Sequence, residues 1–244
     1  MANGFDPRIG AAPRTATTLD GRTAVDAGLR SYMLSVYNYM ASGVLLTGVV
    51  ALGLAASGIA AQIFYGGGAL RYVVIFAPLL MILLLGGTWG RMSTAGMQAF
   101  YWSFAAVMGV SMSVIPLLYT GTSIATTFFA TSAAFASLSL YGYTTRKDLS
   151  GFGTFLLMGL VGLVVAMLLN LFLRSSGLSL AINFIGVLLF AGLTAYDTQK
   201  IKSLYFTVAG SEMVGKSAIM GALTLYLDFI NMFQFLLSFM GDRR

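Results

Sequence analysis

The sequence predicts an all-α polytopic membrane protein that crosses the bilayer as a bundle of seven helices. Of its 244 residues, 58% are hydrophobic and only 9% are charged, and the mean hydropathy is +0.85. Soluble domains usually carry about 25% charged residues. The apolar residues also form acid-poor runs of about 20 residues, which is the length that crosses about 30 Å of hydrocarbon as a helix. Both observations exclude a soluble protein.

Seven apolar segments follow one another along the chain, joined by short connections. They cover residues 36–60, 72–89, 97–118, 123–143, 155–173, 178–198 and 217–240. Residues 1–30 are polar and contain no apolar core of the kind that a cleavable signal peptide needs. We therefore expect a flexible N-terminal tail over residues 1–30 and a single seven-helix transmembrane domain over residues 31–241.

The distribution of positive charge predicts a cytoplasmic N-terminus. With that orientation, ten of the fourteen Lys and Arg residues fall on the cytoplasmic face and four on the other face. Cytoplasmic loops of membrane proteins are enriched in these residues. We therefore attribute the net charge of +6 to the Lys and Arg residues that orient the protein in the membrane, and we expect no nucleic-acid partner. A re-entrant last segment would give six spans and a split of twelve to two, which stays an alternative.

The chain contains no cysteine and no histidine. Thiol nucleophiles, Ser-His catalysis, imidazole proton relays and the usual zinc sites are thereby excluded. We expect no enzymatic activity and no required cofactor, and the lipid bilayer is the first partner that the composition implies.

Two aspartates are the candidate functional residues. Of the eight acidic residues, only Asp197 and Asp228 lie in or against apolar segments. A carboxylate at the bilayer centre costs about 2.5–3.5 kcal/mol even on lenient insertion scales, so such residues face protein or water and mark functional sites. Asp197 has a second interpretation as an interfacial residue at a helix end, and Asp228 as a purely structural polar contact.

The spacing of the two aspartates predicts that they lie at the same depth. Their midpoint falls within residues 209–215, a stretch with two glycines that is the weakest helix former between the sixth and seventh segments. Each aspartate is then about 15 residues, or about 23 Å of helix, from the turn of a helical hairpin. This requires the sixth helix to continue through Lys200, Lys202 and Phe206.

Helical periodicity also places each aspartate on a helix face that carries polar or small residues. At 100° per residue, Asp228 shares a face with Thr224 and Asn231 on the seventh helix. On the sixth helix, Asp197 shares a face with Asn183 and Thr194. Two such faces turned together would make a polar seam inside an apolar bundle.

Two carboxyls in contact form a proton-sensitive site. They cannot both ionise cheaply, so they share a proton and titrate as a pair. When both are ionised, the repulsion is relieved by separation, by an approaching Lys or Arg, or by a bound cation. Carboxylate oxygens suit hard cations, so calcium at Asp197 and Asp228 is the candidate metal.

The residues around both aspartates resemble the Bax inhibitor-1 (transmembrane Bax inhibitor motif) family. The two motifs are GVLLFAGLTAYDTQKIK over residues 186–202 and GALTLYLDFINMF over residues 221–233, and residues 139–150, SLYGYTTRKDLS, are similar to the bacterial branch. The resemblance implies a bundle with the last helix central, in the cytoplasmic (inner) membrane of a bacterium. It also implies a paired-aspartate pH sensor, at Asp197 and Asp228, that governs a calcium leak.

Other family features match less completely. Family members can carry a basic residue after the second helix that latches the acids, and Arg91 is the candidate here. Some members have an acid within the second helix, whereas residues 72–89 contain none, which argues against a third carboxylate.

Two alternative functions stay open. One is an interaction or regulatory protein without transport, since the family is linked to restraint of cell death and to a membrane-protease quality-control system. The other is an intramembrane aspartyl protease, but those enzymes place Gly-x-Gly before the second aspartate, where this chain has Tyr226 and Leu227.

Overall fold

A computed structural model describes residues 14–244, and over this range the chain folds into nine α-helices. Seven of them are long and apolar enough to cross a membrane, as the sequence predicts. The helices are α1 (Arg14–Ala56), α2 (Ile59–Tyr65), α3 (Leu70–Thr88), α4 (Thr94–Met112), α5 (Ile115–Leu118), α6 (Gly121–Thr144), α7 (Ser150–Leu173), α8 (Ser176–Val208) and α9 (Met213–Met240). The short α2 lies in the connection from α1 to α3, and α5 extends the span begun by α4.

The first helix is longer than the sequence suggests. It begins at Arg14 and not near residue 31, and its apolar, membrane-crossing part covers Val25–Ala56. Residues 14–30 of the expected N-terminal tail are therefore helical, and residues 1–13 lie outside the described residues. The sixth span also lengthens, because α8 continues to Val208, which confirms the predicted extension past Lys200.

Several helices begin where a side chain caps a free backbone N–H group. The hydroxyl oxygens of Ser93, Thr120 and Ser175 accept hydrogen bonds from the backbone N–H three residues later, at 3.0, 3.2 and 3.3 Å. Such caps satisfy donors that a helix start leaves free. Between α8 and α9, Gly210 adopts φ 78°, a left-handed conformation that glycine accepts without steric cost. The hairpin turn therefore falls where the spacing of the aspartates predicts it.

The last helix occupies the centre of the bundle. In the most apolar stretch of α9, 61% of residues are buried, compared with 11% in each of α3 and α7. Helices α1, α4, α6 and α8 pack around it. The low burial of α3 and α7 leaves their apolar side chains on the outer surface, where a membrane protein meets lipid.

The C-terminal end shows that α9 runs the whole length of the bundle. It starts beside the beginning of α4, where Gly215 lies against Thr94. It ends beside the far end of the same span, where the Arg244 N–H donates to the Leu118 carbonyl at 2.9 Å. The re-entrant, six-span alternative is therefore wrong. The cytoplasmic placement of the N-terminus stays a prediction.

Buried hydroxyls tie α9 to its neighbours. The Tyr226 hydroxyl, with no exposed surface, lies 2.7 Å from the Thr47 hydroxyl, which donates to the Ala105 carbonyl at 2.9 Å. These bonds link α9, α1 and α4. Each contributes about 0.5–1.5 kcal/mol net, and leaving one of these buried groups unpaired would cost more.

Candidate functional site

The α8–α9 hairpin brings the two aspartates together inside the bundle. Asp197 is 9% exposed and Asp228 is 4% exposed. Their carboxyls are within hydrogen-bonding reach of each other, so the equal depth that the hairpin midpoint predicts is confirmed. Asp197 does not lie at a helix end, because α8 continues to Val208. The helix-end part of the alternative interpretation of Asp197 is therefore wrong, and the depth of Asp197 in the membrane stays a prediction.

One carboxyl oxygen of the pair has no hydrogen-bond donor in the described part of the chain. Among the described side chains from residue 25 onward, no N–H or hydroxyl group donates to the buried Oδ2 atom of Asp228. A hydrogen bond between two carboxyl groups needs one of them protonated, since an ionised carboxylate only accepts. A direct hydrogen bond between Asp197 and Asp228 would therefore need one proton on the pair.

Small residues allow the helices around the pair to approach closely. A side chain at Gly142 of α6 would collide with the backbone carbonyl of Ala195, two residues before Asp197. On α9, Gly221 faces Ile201 with little space for a methyl group. The backbone of α8 is thus fixed from two sides, and this holds Asp197 against Asp228.

The other predicted seam residues do not join the pair in one network. The hydroxyls of Thr194 and Thr224 donate to carbonyls four residues earlier on their own helices, at 2.8 and 3.1 Å. The Asn231 amide does the same, at 2.8 Å. Asn183 donates to the Ser238 hydroxyl at 3.0 Å. That contact lies toward the opposite end of the hairpin, because Asn183 precedes Asp197 by almost four turns of α8.

Arg91 lies on the surface. It ends a single 3-10 turn between α3 and α4, and its side chain is exposed. Within the described part of the chain, its guanidinium makes no hydrogen bond to either aspartate. The latch role of Arg91 stays a prediction. The cation that acts electrostatically on Asp197 here is Lys200, one turn further along α8.

A chain of hydroxyls that sequence reasoning missed leads toward the pair. The Tyr37 hydroxyl on α1 lies 2.6 Å from that of Ser139 on α6, which lies 2.9 Å from that of Thr198 on α8. Thr198 donates its own proton to the Thr194 carbonyl at 2.7 Å. Each hydroxyl has one proton to donate, so Ser139 donates to Thr198 and Tyr37 donates to Ser139. The chain has one direction and ends at the residue after Asp197.

The start of this hydroxyl chain opens into a groove. Tyr37 and Ser139 line a cavity of about 620 Å³ between α1 and α6. Its wall also contains Leu34 and Leu140, which are 51% and 63% exposed, so the cavity reaches the outer surface of the bundle. Arg30 lies on the same wall. The only sequence signal for this feature was the occurrence of hydroxyl residues within three separate apolar segments.

Comparisons with known proteins find a matching family and several bacterial relatives. The family described as "Inhibitor of apoptosis-promoting Bax1" matches residues 29–244. The uncharacterized protein RP147 of Rickettsia prowazekii is 49% identical over 232 residues, covering 95% of this chain and 98% of that protein. The inner membrane protein YbhL of Escherichia coli K12 is 42% identical over 220 residues, covering 89% and 94%. An uncharacterized membrane protein of Streptococcus pyogenes, SpyM3_0260, is 32% identical, covering 90% and 96%.

Proposed function

The chain belongs to the Bax inhibitor-1 family, and we propose that it forms a pH-sensitive cation leak pathway with calcium as the permeant ion. The contact between the buried carboxyls of Asp197 and Asp228 supports this proposal most directly. We place the pathway in the bacterial inner membrane, because a relative that covers most of the chain is named an inner membrane protein.

Loss of the shared proton changes the charge at the centre of the bundle. Two unit charges about 4 Å apart repel by about 4 kcal/mol at the effective dielectric constant of about 20 that suits protein sites. A cation between the carboxylates would relieve this repulsion. Protons and cations therefore compete for the same pair of side chains, and the pH of the surrounding water sets which of them is bound.

The ligand set suits a permeant ion. Calcium takes six to eight oxygen ligands in proteins, and tight sites use several carboxylates. Among the side chains that the structure describes, from residue 25 onward, no group of three or more His, Cys, Asp or Glu could hold a metal ion. Two carboxylates with neighbouring hydroxyl and carbonyl oxygens would bind calcium weakly, which lets an ion leave as readily as it enters.

The groove between α1 and α6 is the proposed route by which protons reach the pair. It begins at the bundle surface beside Arg30 and leads to the hydroxyls of Tyr37, Ser139 and Thr198. The donors point one way and end at Thr198, so delivery of a proton to Asp197 requires the Thr198 hydroxyl to turn from the Thr194 carbonyl to the neighbouring carboxylate. Rotation of each hydroxyl then restores the original arrangement.

Reconstituted protein tests the proposal. Full-length protein in liposomes that contain a calcium dye should admit calcium at a rate that depends on pH, whereas protein-free liposomes should not. Asp197→Asn and Asp228→Asn should each flatten this dependence. Liposomes in which the wild-type protein adds no calcium flux would instead favour an interaction or regulatory protein, with a membrane protease or another membrane protein as its partner.

We propose transport and not hydrolysis for this pair. The carboxyls of an aspartyl protease also share a proton, so the contact alone fits both activities. The sequence before Asp228 is Tyr226-Leu227, however, and both residues are at least partly buried. It therefore lacks the glycines that such enzymes place before their second aspartate.

A further inference from the structure

A second cavity is lined by several basic side chains, in contrast to the acidic pair of Asp197 and Asp228. It has a volume of about 330 Å³ and lies where the loop between α6 and α7 meets α8. Three cationic side chains line it, from Arg146, Lys147 and Lys200, and all three are exposed. The remaining lining residues are Asp148, Ser150, Tyr196, Gln199 and Ser203.

The loop that carries two of these cations is held in place by one side chain. The Gln199 amide nitrogen donates to the Lys147 carbonyl at 2.8 Å, and its amide oxygen accepts from the Leu149 N–H, also at 2.8 Å. This two-point contact fixes residues 147–149 against α8. Preorganised groups lose less freedom when they bind a ligand, so Gln199 makes a defined cavity from what would otherwise be a loose basic loop.

The one acidic side chain that lines the cavity, Asp148, is hydrogen-bonded to Ser150. The Asp148 carboxylate accepts from both the N–H and the hydroxyl of Ser150, each at 2.9 Å. The backbone N–H first, and then the hydroxyl, hold the pKa of Asp148 below its usual value. Asp148 is therefore ionised near neutral pH and turned toward Ser150, so three cations face one acid and the cavity carries a net positive charge.

Below the cavity, the surface is apolar and aromatic. Phe152 and Phe155 in the first turns of α7 stack with their ring centres 5.9 Å apart and are 47% and 66% exposed. Beyond them, α7 is the least buried span together with α3. A ligand that fills the cavity and also contacts this surface must have an anionic head and an apolar tail.

We propose that this cavity binds the phosphate headgroup of an anionic phospholipid, with the acyl chains lying along the outer face of α7. Basic cavities between membrane helices recognise such headgroups. Positive charge is also needed in loops simply to orient a membrane protein, but that role depends on the number of charges and not on their position. The two hydrogen bonds of Gln199 satisfy backbone groups of the loop and also give its cations a defined position.

Native mass spectrometry of the full chain in neutral detergent tests the proposal. The protein is mixed with phosphatidylglycerol or with phosphatidylcholine of the same acyl chains. We expect the anionic lipid to be retained preferentially. Lys147→Gln should weaken that retention about fivefold, since a cation near an anionic headgroup contributes about 1 kcal/mol. The matched control is Lys216→Gln, which removes one cation from the start of α9, outside the cavity, and should leave the retention unchanged.

A second variant distinguishes binding in a preorganised cavity from nonspecific attraction between the lipid and the basic loop. Gln199→Leu keeps every cation but releases the loop, and we expect it to reduce retention severalfold while the protein stays folded, with a melting temperature lowered only by the loss of two hydrogen bonds. Equal loss in Lys147→Gln and Lys216→Gln, or unchanged retention in Gln199→Leu, would overturn the proposal. Complete displacement of the lipid by inorganic phosphate at matched ionic strength would also overturn it, because the occupant would then be a soluble anion.

Discussion

Replacing Asp228 by asparagine tests the shared-proton mechanism most directly. The substitution preserves size and shape at a side chain that is only 4% exposed. The new amide can donate a hydrogen bond to the Asp197 carboxylate, so the contact no longer requires a proton. We expect the calcium leak of Asp228→Asn to lose its dependence on pH while the fold is retained.

The expected size of the effect follows from the charge at the pair. In the wild-type protein, loss of the shared proton introduces a repulsion of about 4 kcal/mol at a separation of about 4 Å. Even if structural relaxation removes three quarters of it, the remaining 1 kcal/mol or so changes an equilibrium about fivefold. We therefore expect the wild-type leak rate to change at least about fivefold over the range in which the pair titrates, and that of Asp228→Asn to change less than about twofold.

The assay is dye-reported calcium entry into proteoliposomes, with the same pH on both sides of the membrane. Glu212→Gln is the matched control, because it makes the same carboxyl-to-amide change at an exposed residue in the α8–α9 turn. It should keep the wild-type profile. The mechanism is refuted if Asp228→Asn keeps the wild-type pH profile, or if Glu212→Gln flattens it equally.

Three further predictions concern the hydroxyl chain and the packing around the pair. Tyr37→Phe removes the first donor of the chain, so we expect the leak to respond more slowly to a pH jump in stopped-flow measurements; wild-type kinetics would exclude the chain as a proton route. Gly142→Ala places a methyl group against the backbone of α8 and should destabilise the protein by about 1–3 kcal/mol, seen as a lower melting temperature in detergent. Gly162→Ala, on α7 with open space around it, is the control and should show no loss. Tyr226→Phe removes a buried hydrogen bond and should cost about 0.5–1.5 kcal/mol in the same measurement; an unchanged melting temperature would show that this bond contributes nothing.

Much of the fold could be read from the sequence because the membrane restricts the choices. Every backbone polar group inside the bilayer must be hydrogen-bonded within the protein, and a continuous run of about 20 apolar residues achieves this as a helix. The ends of the helices are less predictable from the sequence. Residues 14–30 are polar yet helical, since helix formation outside the apolar core depends on local propensity and on packing, which hydropathy does not report.

The acid pair could be located from the sequence for a geometric reason. Asp197 and Asp228 lie on consecutive helices, and a two-helix hairpin has only one adjustable quantity, the position of its turn. Gly210 fixes that turn with its left-handed backbone. The distance of each aspartate from the turn then follows from the number of residues between them, at about 1.5 Å per residue.

The sequence by itself thus determined the class of protein, the seven spans and the two acids that meet within them, because these depend on composition and on distances along the chain. Only the tertiary structure decided that α9 crosses the whole bundle, that Thr194, Thr224 and Asn231 bond their own helices, and that the hydroxyls of Tyr37, Ser139 and Thr198 form one chain. Those hydroxyls come from three helices that are far apart in sequence. Their alignment depends on how the helices rotate and pack, and no spacing along the chain encodes it.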